Sequence, residues 1–265
     1  MLEIIGRILQ CNCMQAMLAT TYAGKLPASY AVEPKFDGVR VLVHCNAVTG
    51  QVSFKSRNGK SFTSLRHLKS QVLAFIAGSR GDLTLDCEAV SGTFFDTVGQ
   101  IRSKKTKALD ATLWVFDIIK FGSYEYRRSV LEKMTAQNSV RIVPVSYNID
   151  IKDAFKKAKA DGHEGIIIKD TASDYESSVR NGAWQKLKDR ETYDCKVIAV
   201  SSKSLTIDFN GVEVLVGCGF TPAVHNAIFS NPSAMLGRTI EVACQSITPA
   251  GSMRHPTFLR VRLDK

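Results

Sequence analysis

Two shortages narrow the reading at once. Seven cysteines occur in 265 residues, at positions 11, 13, 45, 87, 195, 218 and 244, and no two form a C-x-x-C pair. An odd number without paired spacing predicts neither a disulfide framework nor a zinc ribbon. Reduced thiols in a cytoplasmic protein are therefore expected. The chain also lacks long apolar runs, since none approaches the ~20 residues that cross a bilayer. Its opening stretch is interrupted by Glu3 and Arg7, which excludes a secretory signal and leaves a short helix packed on the body as the expectation. No internal repeat and no low-complexity linker is visible, so any hinge between domains must be short.

What is present is ordinary globular composition with an excess of positive charge. Hydrophobic residues make up 45% of the chain and charged residues 23%, enough to bury a sizeable core and to exclude large-scale disorder. The 35 Lys and Arg against 25 Asp and Glu leave a formal charge of +10, which favours a polyanionic partner through counterion release.

Periodicity divides the chain near residue 190. Before it, strand patterns (30–33, 39–45, Gln51–Arg57, Asp82–Val90, Thr112–Ile119, 164–169 and 183–188) mix with helical ones. The helices are expected from a Ser64 cap through Ile76, over Tyr126–Ala136, and over Ile151–Ala160 between Asp150 and Gly162. This is an α+β arrangement rather than a βαβ repeat. After residue 190, five strand patterns (Cys195–Val200, Leu205–Phe209, Val212–Cys218, Thr239–Gln245 and Phe258–Leu263) surround one helix, Pro222–Phe229. Asn210–Gly211 signals a tight hairpin. Five short strands and a helix suit a small OB-type barrel, giving domains at 1–190 and 191–265.

The most chemical stretch is Lys35-Phe36-Asp37-Gly38-Val39-Arg40, placed just before a strand. A lysine amine attacks phosphorus only when neutral, so it needs burial or neighbouring cations. Gly38 allows a tight backbone beside a phosphate and Arg40 can grip one. Further on, Lys186 and Lys188 lie two apart on a strand, so both project from one face.

The Lys35–Arg40 stretch resembles the K-x-D-G-x-R signature of covalent nucleotidyltransferases, the superfamily of DNA ligases, RNA ligases and mRNA capping enzymes. Six more signatures of that superfamily occur in order. Ser56-Arg57-Asn58-Gly59 resembles S-R-x-G, which implies that Arg57 meets the 5′-phosphate of a nick, with Arg40 as a second DNA contact. Leu85-Asp86-Cys87-Glu88 resembles the D-G-E element, with Cys87 in place of the usual Gly, and implies that Glu88 lies near ribose or metal. Val115-Phe116-Asp117 implies that Phe116 stacks on the purine. Glu164 to Lys169 resembles E-G-x-x-x-K, with Glu164 as a metal carboxylate. Trp184-Gln185-Lys186-Leu187-Lys188 supplies the phosphate-binding lysines, and Arg262-Leu263-Asp264-Lys265 resembles R-x-D-K, so that Arg262, Asp264 and Lys265 would help position pyrophosphate. The same resemblance places Glu33 on the adenine amino group and Ile167 on the face of the base opposite Phe116.

Glu164 in the E-G-x-x-x-K signature favours polynucleotide ligases over capping enzymes, which usually have Asp there. The R-x-D-K ending favours DNA ligases over several RNA ligase groups. The resemblance implies a nucleotidyltransferase (ATP-grasp-like adenylation) domain of antiparallel sheets with helices, followed by an OB-fold domain. It also implies ATP and Mg²⁺ as cofactors, with Mn²⁺ as a substitute and Glu88 and Glu164 as the metal carboxylates. The expected reaction seals 3′-hydroxyl/5′-phosphate nicks in duplex DNA through lysyl-AMP on Lys35, with Asp37, Lys186 and Lys188 as further catalytic residues. An RNA ligase or capping-type enzyme is the alternative, and a non-catalytic nucleic-acid-binding module the more distant one. Brevity and the early signature lysine lead to the expectation of a monomer without an N-terminal DNA-binding domain. They point to a virus or a bacterial repair role, with the enzyme in the cytoplasm (the host's, if viral) and no membrane partner.

Overall fold

A computed structural model describes residues 15–105 and 107–263. The helix expected in the opening stretch lies outside them, apart from 15–19, which are not helical. The chain divides into two compact units with the break between Lys188 and Asp189.

The first unit contains strands β1 (Thr20–Thr21), β2 (Tyr30–Lys35), β3 (Val39–Asn46), β4 (Gln51–Ser56), β5 (Asp82–Val90), β6 (Thr112–Ile118), β7 (Val140–Ile142), β8 (Ser146–Tyr147), β9 (Gly165–Asp170) and β10 (Trp184–Lys188). They form two five-stranded sheets, ordered β4-β3-β5-β6-β7 and β1-β10-β9-β2-β8. Each sheet uses the two-residue alternation of a strand to separate an apolar face from a polar one. In the first sheet Val41, Val43, Cys87 and Val115 are buried on one face, against a 3₁₀ segment (Thr63–Leu68) and helices α1 (Lys69–Phe75) and α2 (Phe94–Arg102). Arg40, Asp86, Glu88, Trp114 and Phe116 alternate with these. The Cys87 side chain therefore points into the core, and replacing the usual Gly there leaves Glu88 free to face the other way. In the second sheet, Val32, Ile166 and Ile168 pack under helix α4 (Ile151–Ala160), while Glu33, Lys35, Ile167, Lys169 and Lys186 alternate with them. Helix α3 (Tyr124–Leu131) follows β6.

Three local expectations are corrected. Ser64 is not a helix cap: it lies inside the 3₁₀ segment, and its hydroxyl donates to the Ile101 carbonyl at 2.6 Å. The helix expected over Tyr126–Ala136 starts and stops earlier, because the Ser123 hydroxyl accepts the Tyr126 N–H and sets its start. Helix α2 was missed, although Thr93 and Asp96 form a reciprocal capping box at its start. The Asp150 cap of α4 is as expected, accepting from the Lys152 and Asp153 N–H groups.

The second unit carries β11 (Glu191–Val200), β12 (Leu205–Phe209), β13 (Val212–Val216), α5 (Pro222–Phe229), β14 (Thr239–Cys244), the short pair β15 (Ser246–Ile247) and β16 (Met253–Arg254), and β17 (Thr257–Val261). Asn210 and Gly211 both take positive φ, as the tight hairpin requires. The sheet runs β13-β12-β11-β14-β17 around a core that includes Val197, Ile207, Val216 and Ile240. The expected barrel is only partly closed. Its edge strands are not paired among the described residues, and the Phe258 N–H donating to the Cys218 carbonyl at 2.9 Å bridges the seam.

One register positions much of the first unit's chemistry. Lys35 on β2 and Lys188 on β10 both lie opposite Gly165 on β9 between them, and Glu33 and Lys186 flank Ile167 in the same way. A Cβ at Gly165 would collide with the Leu187 carbonyl oxygen, so the glycine is what lets β10 approach at this row. Gly165→Ala should lose about 1–3 kcal/mol of stability in chemical denaturation. An unchanged transition would contradict this packing.

Candidate active site

A cavity of about 260 Å³ lies in the first unit, lined from both sheets. Its walls include Glu33, Lys35, Arg40, Glu88, Phe116 and Lys186, with Arg57 and Ile167 also contributing. Glu33 and Lys186, 153 positions apart in sequence, thus meet at one place. The Lys35 ammonium is paired with Glu164, whose other oxygen accepts from Lys188 at 3.1 Å. Glu164 follows the turn after α4, and its N–H donates to the Lys35 carbonyl at 3.0 Å, which fixes the carboxylate beside the lysine.

The electrostatics follow from this crowding. Burial alone would raise the Glu164 pKa, but Lys35 and then Lys188 hold it below the ordinary carboxylate value. Lys186 is pushed down by burial and by the nearby positive charge of Arg180, Lys188 and Lys35. The result is a cluster of cations at and beside the cavity, suited to receive an anion. Arg40 is held by Asp86: its Nε lies 2.8 Å from Asp86, and it sits 5.3 Å from the Phe116 ring centre. Burial works against its charge, and Asp86 outweighs that to raise its pKa. Asp86 in turn accepts the Tyr175 hydroxyl at 2.6 Å.

One wall of the cavity carries a buried network of charges. Glu33 accepts from the Tyr124 hydroxyl at 2.6 Å and from Lys169 at 2.8 Å. Lys169 also donates to the Phe116 carbonyl at 2.8 Å, which joins the two sheets, and lies 4.4 Å from the Trp184 ring centre. Arg127 and Asp117 form a buried two-point pair at 2.8 and 3.1 Å.

Arg57 sits at the tip of a turn that explains the S-R-x-G spacing. The Ser56 hydroxyl accepts the Lys60 N–H at 3.0 Å, and Gly59 takes φ +78°, a conformation that favours glycine. Arg57, Arg40 and Glu88 border a second, larger cleft whose further lining includes Lys60, Arg102 and Lys104.

Not every expected residue joins the cavity. Asp37 lies on the β2–β3 turn, outside the lining of both hollows. Arg262 belongs to the second unit, where it pairs with Asp194 at 2.7 and 2.8 Å. Asp264 and Lys265 lie outside the described residues. Sequence reasoning gave no role to Asp86, Lys169 or Trp184, although each stands inside a quoted signature. Tyr124, Tyr175 and Arg180 had no signature to mark them.

Glu88 accepts the Gly38 N–H at 3.2 Å, and its pKa is pushed up to about 7 from 4.5, chiefly by burial and against the pull of Lys35 and Arg40. A carboxyl that holds its proton more tightly when folded contributes stability that is complete below about pH 4.5 and lost as pH rises through about 7. Glu88→Gln should therefore gain in Tm relative to the parent on going from about pH 5 to about pH 8. Thermal melts at both values check this, and an unchanged difference would exclude it.

Comparison with known proteins agrees with the geometry. Residues 14–188 match the family model described as ATP dependent DNA ligase domain. The multifunctional non-homologous end joining DNA repair protein LigD of Mycobacterium tuberculosis H37Rv is 30% identical over 203 residues, 71% of this chain and 25% of LigD. DNA ligase 1 of Korarchaeum cryptofilum is 30% identical over 190 residues, 64% of this chain and 34% of that protein. The chain thus spans about a quarter to a third of these relatives. Among solved structures, a Lig E DNA ligase described as binding DNA with a minimal scaffold superposes with TM-score 0.74 at 21% identity, covering 94% of this chain and 99% of that one. The ligase domain of M. tuberculosis LigD gives 0.58 at 24%, covering 95% and 96%. These likenesses show the fold, a nucleotidyltransferase domain followed by an OB-fold domain. With its family model matched over residues 14–188, the chain belongs to the ATP-dependent DNA ligase family.

Proposed function

We propose that this chain seals nicks in duplex DNA, taking AMP from ATP onto Lys35 and passing it to the 5′-phosphate of the nick. The pairing of Lys35 and Lys188 with Glu164, beside an aromatic-walled cavity that Lys186 lines, carries this reading. The lysyl amine attacks the α-phosphate, an N–P bond forms, and pyrophosphate leaves. In the structure Lys35 is paired with Glu164, so it must exchange that carboxylate for the phosphate before it can react. Lys186 and Lys188 would neutralise the phosphate, Phe116 and Ile167 would enclose the base, and Glu33 would accept from its amino group. Arg262, Asp264 and Lys265 of the OB domain would orient the pyrophosphate, with Arg262 leaving Asp194 to do so.

Glu88 and Glu164 offer two carboxylates beside the cavity, which suits Mg²⁺ or Mn²⁺, because such an ion is commonly held by one or two carboxylates together with substrate phosphates. When bound, the ion would supply charge neutralisation at the triphosphate. Arg57 would hold the 5′-phosphate of the nick at the junction of the two hollows, with Arg40 behind it and Asp37 near the attacking 3′-hydroxyl. Lys60, Arg102 and Lys104 extend the positive lining along which a strand can lie. The protein would act as a monomer in the cytoplasm, and the domains would divide near residue 190.

Incubation with α-labelled ATP or GTP and Mg²⁺, followed by denaturing electrophoresis and a chase with nicked DNA, tests the reading. A band with ATP that discharges onto the nick supports it, whereas a band with GTP alone means a capping-type enzyme and preference for nicked RNA means an RNA ligase. Lys35→Ala should lose the band and still join a pre-adenylylated nick; a surviving band would refute the assignment. Nick affinity should fall steeply with salt, and Arg57→Ala should flatten the log–log slope by about 0.9. An unchanged slope would remove Arg57 from the phosphate contacts.

A further inference from the structure

We propose that Tyr124 is a positioning residue for nucleobase choice, its buried hydroxyl fixing the Glu33 carboxylate as an acceptor for a 6-aminopurine. The inference rests on the reading of the cavity as an adenylate site. Tyr124 is 1% exposed, and its hydroxyl donates to Oε1 of Glu33 at 2.6 Å. Lys169 donates to Oε2 at 2.8 Å, so each carboxylate oxygen is anchored by a different group and the carboxylate plane cannot turn. Arg128 adds a positive charge, 3.8 Å from Oε1.

Tyr124 is itself held. Its N–H donates to the Ser173 carbonyl at 2.8 Å, and its ring lies 4.8 Å from Lys169 and 5.9 Å from Arg127. Burial, and then Glu33 beside it, raise the phenol's pKa far above its usual value, so the phenolic proton stays in place and points at the carboxylate. A carboxylate has about four acceptor positions, of which Tyr124 and Lys169 use two. Any that face the cavity can accept from an exocyclic amine but repel a carbonyl oxygen at the same place. A purine with an amino group at C6 fits, and a 6-oxopurine does not.

Lys169 is a poor place to test this, because it also holds the Phe116 carbonyl and contacts the Trp184 ring. Tyr124→Phe deletes one oxygen and keeps the ring. Its adduct formation should be compared with wild type using ATP and inosine triphosphate, which carries a carbonyl where adenine carries the amine, with Tm measured in parallel. The KM for ATP should rise about tenfold with little change in the saturating rate, and the ATP-to-ITP preference should fall by about the same factor. A merely structural role would weaken both nucleotides alike, and an unchanged preference in a normally melting variant overturns the inference. If Tyr124→Phe melts early, Arg128→Gln reads the same ratio through the same oxygen, and a preserved preference there also overturns it. Wild type that labels with neither nucleotide refutes the adenylate reading itself. Wild type that labels with both equally refutes only the inference.

Discussion

A buried charge needs a partner, and this requirement organises the first unit. Between its two sheets lie Glu33, Asp117, Arg127 and Lys169, each at most 2% exposed. Left alone, any one of them would cost several kcal/mol to desolvate. The chain answers with pairs: Glu33 with Lys169 and Tyr124, and Asp117 with Arg127. The apolar residues are displaced to the outer faces, under α1 and α2 on one side and α4 on the other. A polar middle between two greasy flanks is an expensive way to build a small domain, and it makes sense where the middle must bind something charged.

The same pairing preorganises the chemistry. Lys35 and Lys188 face one glycine of the strand between theirs, and a single carboxylate holds both beside the cavity. Under the proposed function, no side chain has to travel far to meet a triphosphate; it has only to change partners. Charges already gathered at the site leave only that exchange of partners as reorganisation, and electrostatic stabilisation is the main protein contribution to phosphoryl transfer.

Much of this was legible in the sequence, for an identifiable reason. Strand alternation marks which face a residue takes, so Lys186 and Lys188 were placed together from spacing alone. The ordered signatures then named a set whose members largely meet at one cavity. What stayed hidden depends on distance through space. Tyr124 opens a helix whose start is shifted by the Ser123 cap, and nothing local ties it to Glu33, 91 positions away. Lys169 was seen as a letter in a motif, yet its contacts come from β2 and β6. Helix α2 was missed because its capping box uses Asp rather than Glu or Gln at the third helical position. The open edge of the OB sheet could not be read at all, since closure depends on how far the strands curl.

That edge has a consequence for motion. Where a fully laddered barrel would share the strain of closure over many amides, the described seam carries it at the amide of Phe258 bonded to Cys218. Amides whose protection rests on one local bond open far more readily than those inside a continuous ladder. The second unit therefore has a built-in fault line: its sheet can loosen along one edge while the core around Val197, Ile207 and Ile240 stays packed. In hydrogen exchange, the Phe258 amide would report that breathing separately from unfolding of the unit.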